Sequence, residues 1–141
     1  MKVTSLIATI ILGSAMFAQA ETLTPKQFPV NVTYVEQLQC MALNIYHEAR
    51  SDSKLGQEAV GMTTMNRVYH SGYPSTVCDV VYQAYLDGDG HPVINRCQFS
   101  WFCDGRSDTP RDIVRYQRAI NTAAFVLQTN SDSRDITDGA I

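Results

Sequence analysis

Three things are missing from this 141-residue sequence, and each absence closes a class of chemistry. The stretch Ile45-Tyr46-His47-Glu48-Ala49-Arg50 begins like the H-E-x-x-H zinc signature, in which two histidines four apart on a helix hold the metal. Position four after His47 is Ser51, so the second ligand is lacking and no metal site is expected there. The cysteines include no C-x-x-C pair, which argues against a zinc ribbon. A basic stripe is also lacking. Eleven Lys and Arg stand against 14 Asp and Glu, a net charge of −3, and the arginines are scattered, so a nucleic-acid partner is not expected. The Arg111, Arg115 and Arg118 group, with Asp112 among them, has the spacing of a solvated helix face.

What is present begins with an export signal. Lys2 supplies a positive start, Leu6 to Phe17 is mostly apolar, and Ala18-Gln19-Ala20 has the small-x-small pattern of a cleavage site. The apolar run falls short of the ~20 residues a spanning helix needs, so stable membrane insertion after cleavage is not expected. Cleavage after Ala20 leaves 121 residues, 10 basic and 14 acidic, a length suited to one domain. An even cysteine count (Cys40, Cys78, Cys97, Cys103) in an exported chain of this size predicts two disulfides, and a periplasmic or extracellular location. The expected organisation is a signal peptide over 1–20, an extended lead-in over 21–35, a catalytic domain over 36–130 and a loose polar tail over 131–141. Asn31-Val32-Thr33 is formally a glycosylation sequon, read here as a chance match.

From Tyr34 an apolar stripe of Val35, Leu38, Ala42, Ile45 and Ala49 recurs at three- and four-residue steps and predicts a helix. At about 100° per residue, Glu48 falls on the flank of that stripe and His47 nearly opposite it, on the surface. Ser51, Asp52 and Ser53 offer caps for a second helix over 55–69, whose Ala59, Met62, Met65 and Tyr69 form an apolar face. Thr76 to Asp79 starts a third helix through Tyr85. Residues 86–96 read as a turn-rich loop; Asp87-Gly88-Asp89-Gly90 resembles a calcium loop, but Pro92 and Gln98 stand where that motif needs Gly and Glu. The alternation in "CQFSWFCDG" predicts a strand over 97–103, with Cys97, Phe99, Trp101 and Cys103 on the inward face, followed by a hairpin turn at Asp104-Gly105. Thr109 as cap, Pro110 and Asp112 start a last helix running to Thr129.

A strand over 97–103 would hold its ends roughly 20 Å apart at ~3.3 Å per residue. A disulfide needs Cα atoms within about 7 Å, which excludes Cys97–Cys103. Of the two connectivities left, Cys78–Cys97 with Cys40–Cys103 is preferred because it includes the shorter loop.

A flank-placed Glu suits general acid work, since partial burial disfavours its charged form and lets it hold a proton near neutral pH. On spacing alone, an ion pair of Glu48 with Arg50 or Arg67 is the better reading. Three blocks alter that balance: "CMALNIYHEARSDSKLGQEAVGMTTMNRV", then "YPSTVCDVVYQ", then "CQFSWFCDG". Together they resemble the SleB/CwlJ-type cell-wall hydrolases, the spore cortex-lytic family and its relatives, from about Glu36 to Gly105.

The resemblance implies an α+β, lysozyme-like, mostly helical domain with a short β-hairpin lining a cleft, acting on peptidoglycan glycan strands without a cofactor and as a monomer. It carries the catalytic role onto Glu48 and a cleft-lining role onto Gln98 and Ser100, with Tyr46 and Asn66 as further candidates for the cleft or for orienting Glu48. It also suggests a lytic transglycosylase, whose single Glu first protonates the glycosidic oxygen and then accepts the muramic 6-hydroxyl proton. Trp101 could stack on sugar, but its alternation favours the core. Three alternatives remain: a two-carboxylate muramidase drawing on Asp52 or Asp104, a Cys/His amidase using His47, His70 or His91 with a free thiol, and a glycan-binding module without activity.

Overall fold

A computed structural model describes residues 34–129 and 137–141. The export signal, most of the lead-in and the sequon lie outside the described residues, as do residues 130–136 of the junction with the tail.

The apolar spacing from Tyr34 produces α1 (Tyr34–Ala49), and its buried arc is wider than a single stripe. Met41, Ala42, Asn44, Ile45 and Tyr46 are all buried, because α1 packs against three helices rather than one. Val35, expected inside, is 57 % exposed at the start of the helix. α2 (Lys54–Tyr69) starts at Ser53, whose side chain accepts the Gly56 N–H, and buries Met62 and Met65 as expected. Gly61 lies where α1 and α2 meet the helix that carries Val126. A Cβ there would stand 2.9 Å from Val126 Cγ2 and 3.4 Å from Ile45 Cδ1, so only a hydrogen fits.

α3 is shorter than the sequence predicts, spanning Val77–Val81. Its start is capped twice: Thr76 accepts the Asp79 N–H, and the fully buried Gln37 of α1 accepts the Val77 and Cys78 N–H groups at 2.6 and 3.3 Å. The chain then leaves the helix, and the expected continuation to Tyr85 is instead β1 (Ala84–Leu86), paired antiparallel with β2 (Pro92–Cys97). The hairpin thus lies well upstream of the Asp104-Gly105 turn predicted for one, and its turn is the loop holding Asp87, whose side chain accepts the Asp89 and His91 N–H groups. The two-residue step from Ala84 to Leu86 is matched by the five-residue step from Cys97 to Pro92. β2 takes up the excess as a bulge, with Asn95 in the left-handed region at φ 60°.

The largest correction concerns residues 97–103. The chain curls into a 3₁₀ turn at Ser100–Cys103 instead of running straight. Of the four residues predicted to face inward, Phe99, Trp101 and Cys103 are buried and Cys97 is half-buried, while Ser100 is exposed. The curl brings the Cys97 and Cys103 Cα atoms to 6.1 Å, and the disulfides are Cys97–Cys103 and Cys40–Cys78. The excluded pairing is the one that forms, and the preferred pairing is overturned together with the strand beneath it. Gly105 does turn, at φ 76°, but leads into an irregular segment. α4 (Ile113–Gln128) begins later than expected, with Asp112 and not Thr109 as its cap. The described part of the tail returns to α2, where Asn66 donates to Thr137 Oγ1 and to the Ala140 carbonyl. The domain is therefore α+β and mostly helical, with a two-stranded antiparallel sheet.

Candidate active site

The last turn of α1 presents Tyr46, His47, Glu48 and Arg50 in succession, and helical geometry sends each in a different direction. Tyr46 points inward. Its hydroxyl accepts the Arg111 and Asp112 N–H groups, both at 3.1 Å, and so fastens the start of α4 to the end of α1. Its ring meets Tyr116 edge-on, and the Arg50 guanidinium lies 5.4 Å from its centroid.

His47 is not the plain surface residue that the stripe suggests. Its ring stacks on Trp101, and its Nε2 lies 2.9 Å from the Asp108 carbonyl oxygen. Trp101 is in turn fixed from below: its Nε1 donates to Asn44 Oδ1, and Asn44 Nδ2 donates to Thr64 Oγ1. A buried polar chain across α1, α2 and the 3₁₀ turn thus sets the height of the indole. The expectation that Trp101 belongs to the core holds, at 7 % exposed, with one face left for His47.

Glu48 lies on the exposed flank of the helix. Among the described residues the ion pairs are Lys54–Glu58, His91–Asp87 and Arg115–Asp112, so neither Arg50 nor Arg67 forms the pair that spacing allowed. Crowding by protein raises the Glu48 pKa above its ordinary value of 4.5, with the charges of His47 and Arg67 opposing that rise. The carboxyl is both reachable by solvent and partly desolvated. Arg67 stands over the Phe99 ring at 5.0 Å and beside Tyr73 at 5.8 Å, and its Nε and Nη1 are buried with no hydrogen-bond partner among the described residues. Both residues whose charges act on Glu48 also touch the 97–103 segment, His47 through Trp101 and Arg67 through Phe99.

The remaining predicted residues do not converge on one recess. Tyr46 lines a cavity of about 650 Å³ together with His47, Trp101 and Asp108. Gln98 lines a second recess, of about 620 Å³, with Gln83, Tyr85 and Arg96 beside the hairpin, and its N–H donates to the Gln83 carbonyl at 2.8 Å. Ser100 is exposed at the start of the 3₁₀ turn, and Asn66 engages the tail. A carboxyl that the sequence did not single out is Asp108. Desolvation raises its pKa, Asp104 adds to the rise and His47 opposes it; Tyr82 and Tyr116 are also raised, chiefly by burial. Nothing in the local spacing of "DGRSDTP" marks Asp108, whereas Arg67 was visible in the Asn-Arg-Val block.

All four cysteines are in disulfides, which leaves no thiol nucleophile for the Cys/His alternative. Asp87, Asp89 and His91 bring donor atoms within 4.8 Å of one another on the exposed hairpin turn, where Asp87 already serves the backbone.

A solvent-reachable, unpaired carboxyl on a rigid helix end, beside stacked aromatic rings, is an arrangement able to deliver a proton to a bound polymer. The chain belongs to the cell wall hydrolase family, whose model matches residues 51–141. The match opens just past Glu48. No curated protein and no solved structure matches the chain. Family membership makes this a cell-wall hydrolase with peptidoglycan as its substrate. No described helix is long and apolar enough to cross a membrane.

Proposed function

We propose that the chain cleaves the glycan strand of peptidoglycan between muramic acid and glucosamine as a lytic transglycosylase, with Glu48 as its general acid and base. The observation that carries this reading is the Glu48 carboxyl itself, open to solvent, outside every described ion pair and held towards its protonated form by desolvation. A neutral carboxyl donates to the glycosidic oxygen as the C1–O bond breaks. The resulting carboxylate takes the proton of the muramic 6-hydroxyl as that oxygen closes on C1, giving a 1,6-anhydro end. One carboxyl serves both half-reactions, so the open flank of α1 suffices. Replacing Glu48 by Gln keeps size and polarity but removes the proton, and cleavage should fall by about 10²–10⁴-fold. Mass spectrometry of the parent's digest should show anhydromuramic ends, and a folded Glu48→Gln variant that still clears walls would overturn the assignment.

A second reading has one observation in its favour. Asp108 also has a raised pKa, and His47 acts on both carboxyls, so a two-carboxylate muramidase would use Asp108 rather than Asp52 or Asp104. Reducing muramic ends in the digest would select it. A binding module without activity would leave walls intact and Glu48→Gln indistinguishable from the parent. The cleft-side roles of Gln98 and Ser100, the 36–130 domain bounds, the export signal, residence in the periplasm or extracellular wall, and the monomeric state belong to this same proposal.

A further inference from the structure

The cavity beside Trp101 is unusual in its charge. The chain is acidic overall, yet four of its eight arginines, Arg50, Arg106, Arg111 and Arg115, line this one space. Two of them are committed: Arg115 pairs with Asp112 at 3.3 Å and donates to Ser51, and Arg50 lies over the Tyr46 ring. The side chains of Arg106 and Arg111 are exposed and form no ion pair among the described residues. Their backbones are nevertheless fixed, since the Arg106 N–H donates to Asp104 Oδ1 at 2.8 Å and the Arg111 N–H donates to the Tyr46 hydroxyl. The carboxylates of Asp104 and Asp108 face the same cavity and are likewise in no described ion pair. The cavity therefore offers unspent charges of both signs from anchored positions.

A ligand for such a lining must itself carry both signs. Within peptidoglycan the glycan does not qualify, because its acetamides and hydroxyls are neutral and its lactyl carboxyls are consumed in amide bonds to the peptide stems. The stems do qualify, having free carboxylates and, where a diamino acid is present, a free ammonium group. We infer that this cavity is a binding site for the peptide stem, with Arg106 and Arg111 receiving its carboxylates and Asp104 and Asp108 facing its ammonium group. The inference rests on the proposed glycan cleavage only in that both concern one substrate. His47 is shared by the cavity wall and by the helix turn that carries Glu48, so a stem seated here would branch from the strand near the acid.

Calorimetry with an isolated stem tetrapeptide containing a diamino acid tests this without passing through cleavage. The parent should bind the free peptide at least about tenfold more tightly than the same peptide with its carboxylates amidated, the size expected for loss of charge-assisted hydrogen bonds. The Arg106→Gln/Arg111→Gln protein should lose that difference. Both side chains are exposed, and a thermal melt matching the parent's would show that the fold survives. Equal binding of free and amidated peptide by the parent, or a double variant binding as the parent does, would overturn the inference. A failure to cut glycan would strike the proposed function alone.

Discussion

The imidazole of His47 lies nearly flat on the indole of Trp101, with centroids 4.5 Å and planes 14° apart. That stack depends on Asn44, which accepts the indole N–H from one side and donates to Thr64 on the other. Asn44→Ala would leave a buried N–H and a buried hydroxyl without these partners. The expected cost is about 2–4 kcal/mol, read as a lowered urea midpoint with unchanged slope. A variant as stable as the parent would show that water replaces the amide.

The pH dependence follows from the Glu48 carboxyl, whose pKa lies above 4.5 in the folded protein because of desolvation. Folded chain then binds more protons than unfolded chain between the two values, so Glu48 destabilises the fold progressively as pH rises through that window. Glu48→Gln should consequently gain stability relative to the parent on going from acid to neutral pH, measured by denaturant titration at each pH. Under the proposed mechanism the cleavage rate falls as pH rises through the same folded value. Arg67 favours the charged form, so Arg67→Gln should move that limb to higher pH, while Arg67→Lys should leave it near the parent's. An unmoved limb in Arg67→Gln would detach the limb from Glu48.

The two disulfides close loops of very different size, with sequence separations of 38 for Cys40–Cys78 and 6 for Cys97–Cys103. Chain-entropy arguments give about 4 kcal/mol for the longer loop and about 2 kcal/mol for the shorter. The paired serine variants should rank in that order in denaturant midpoint. A non-reducing peptide map should return Cys97 bonded to Cys103.

At Gly61 an added methyl would press on Val126 Cγ2 at 2.9 Å, and valine has little freedom to swing aside. Gly61→Ala should cost about 1–3 kcal/mol despite its better helix propensity, a drop of roughly 4–8 °C in Tm per kcal/mol for a domain of this size. Val126→Ala in the same chain should recover part of the loss. Additive losses would mean that the contact is not the cause.

The helices were legible because their apolar residues repeat at helical steps: α2 begins within a residue of its predicted start, and Met62 and Met65 lie inside. The 97–103 segment shows where periodicity ends. Its alternation of buried and exposed side chains is real, but alternation fixes which side chains face inward and leaves the path of the backbone open. A disulfide six residues apart demanded a curl that no local propensity announced. For the same reason the hairpin was placed too late, since Asp104-Gly105 has strong turn chemistry and the true turn at Asp87 reads as loop. Glu48 was singled out by its block, and helical phase placed it on the flank of α1, where it lies. His47 was misjudged because its partner, Trp101, arrives from a distant part of the chain, and Asp108 drew no reading at all because nothing in its neighbourhood singles it out.

A helix of five residues could not persist by itself. α3 is held by its roots: Gln37 grips its first amides and, three residues on along α1, Cys40 is bonded to Cys78. Directly beyond α3 comes Gln83, whose carbonyl receives the Gln98 N–H. The hairpin and its recess are thus cantilevered from the first turns of α1, the end of that helix remote from Glu48. The two ends of one helix set two separate alignments, the acid at one and the Gln98 recess at the other, and the distance between them is ruled by the length of the rod.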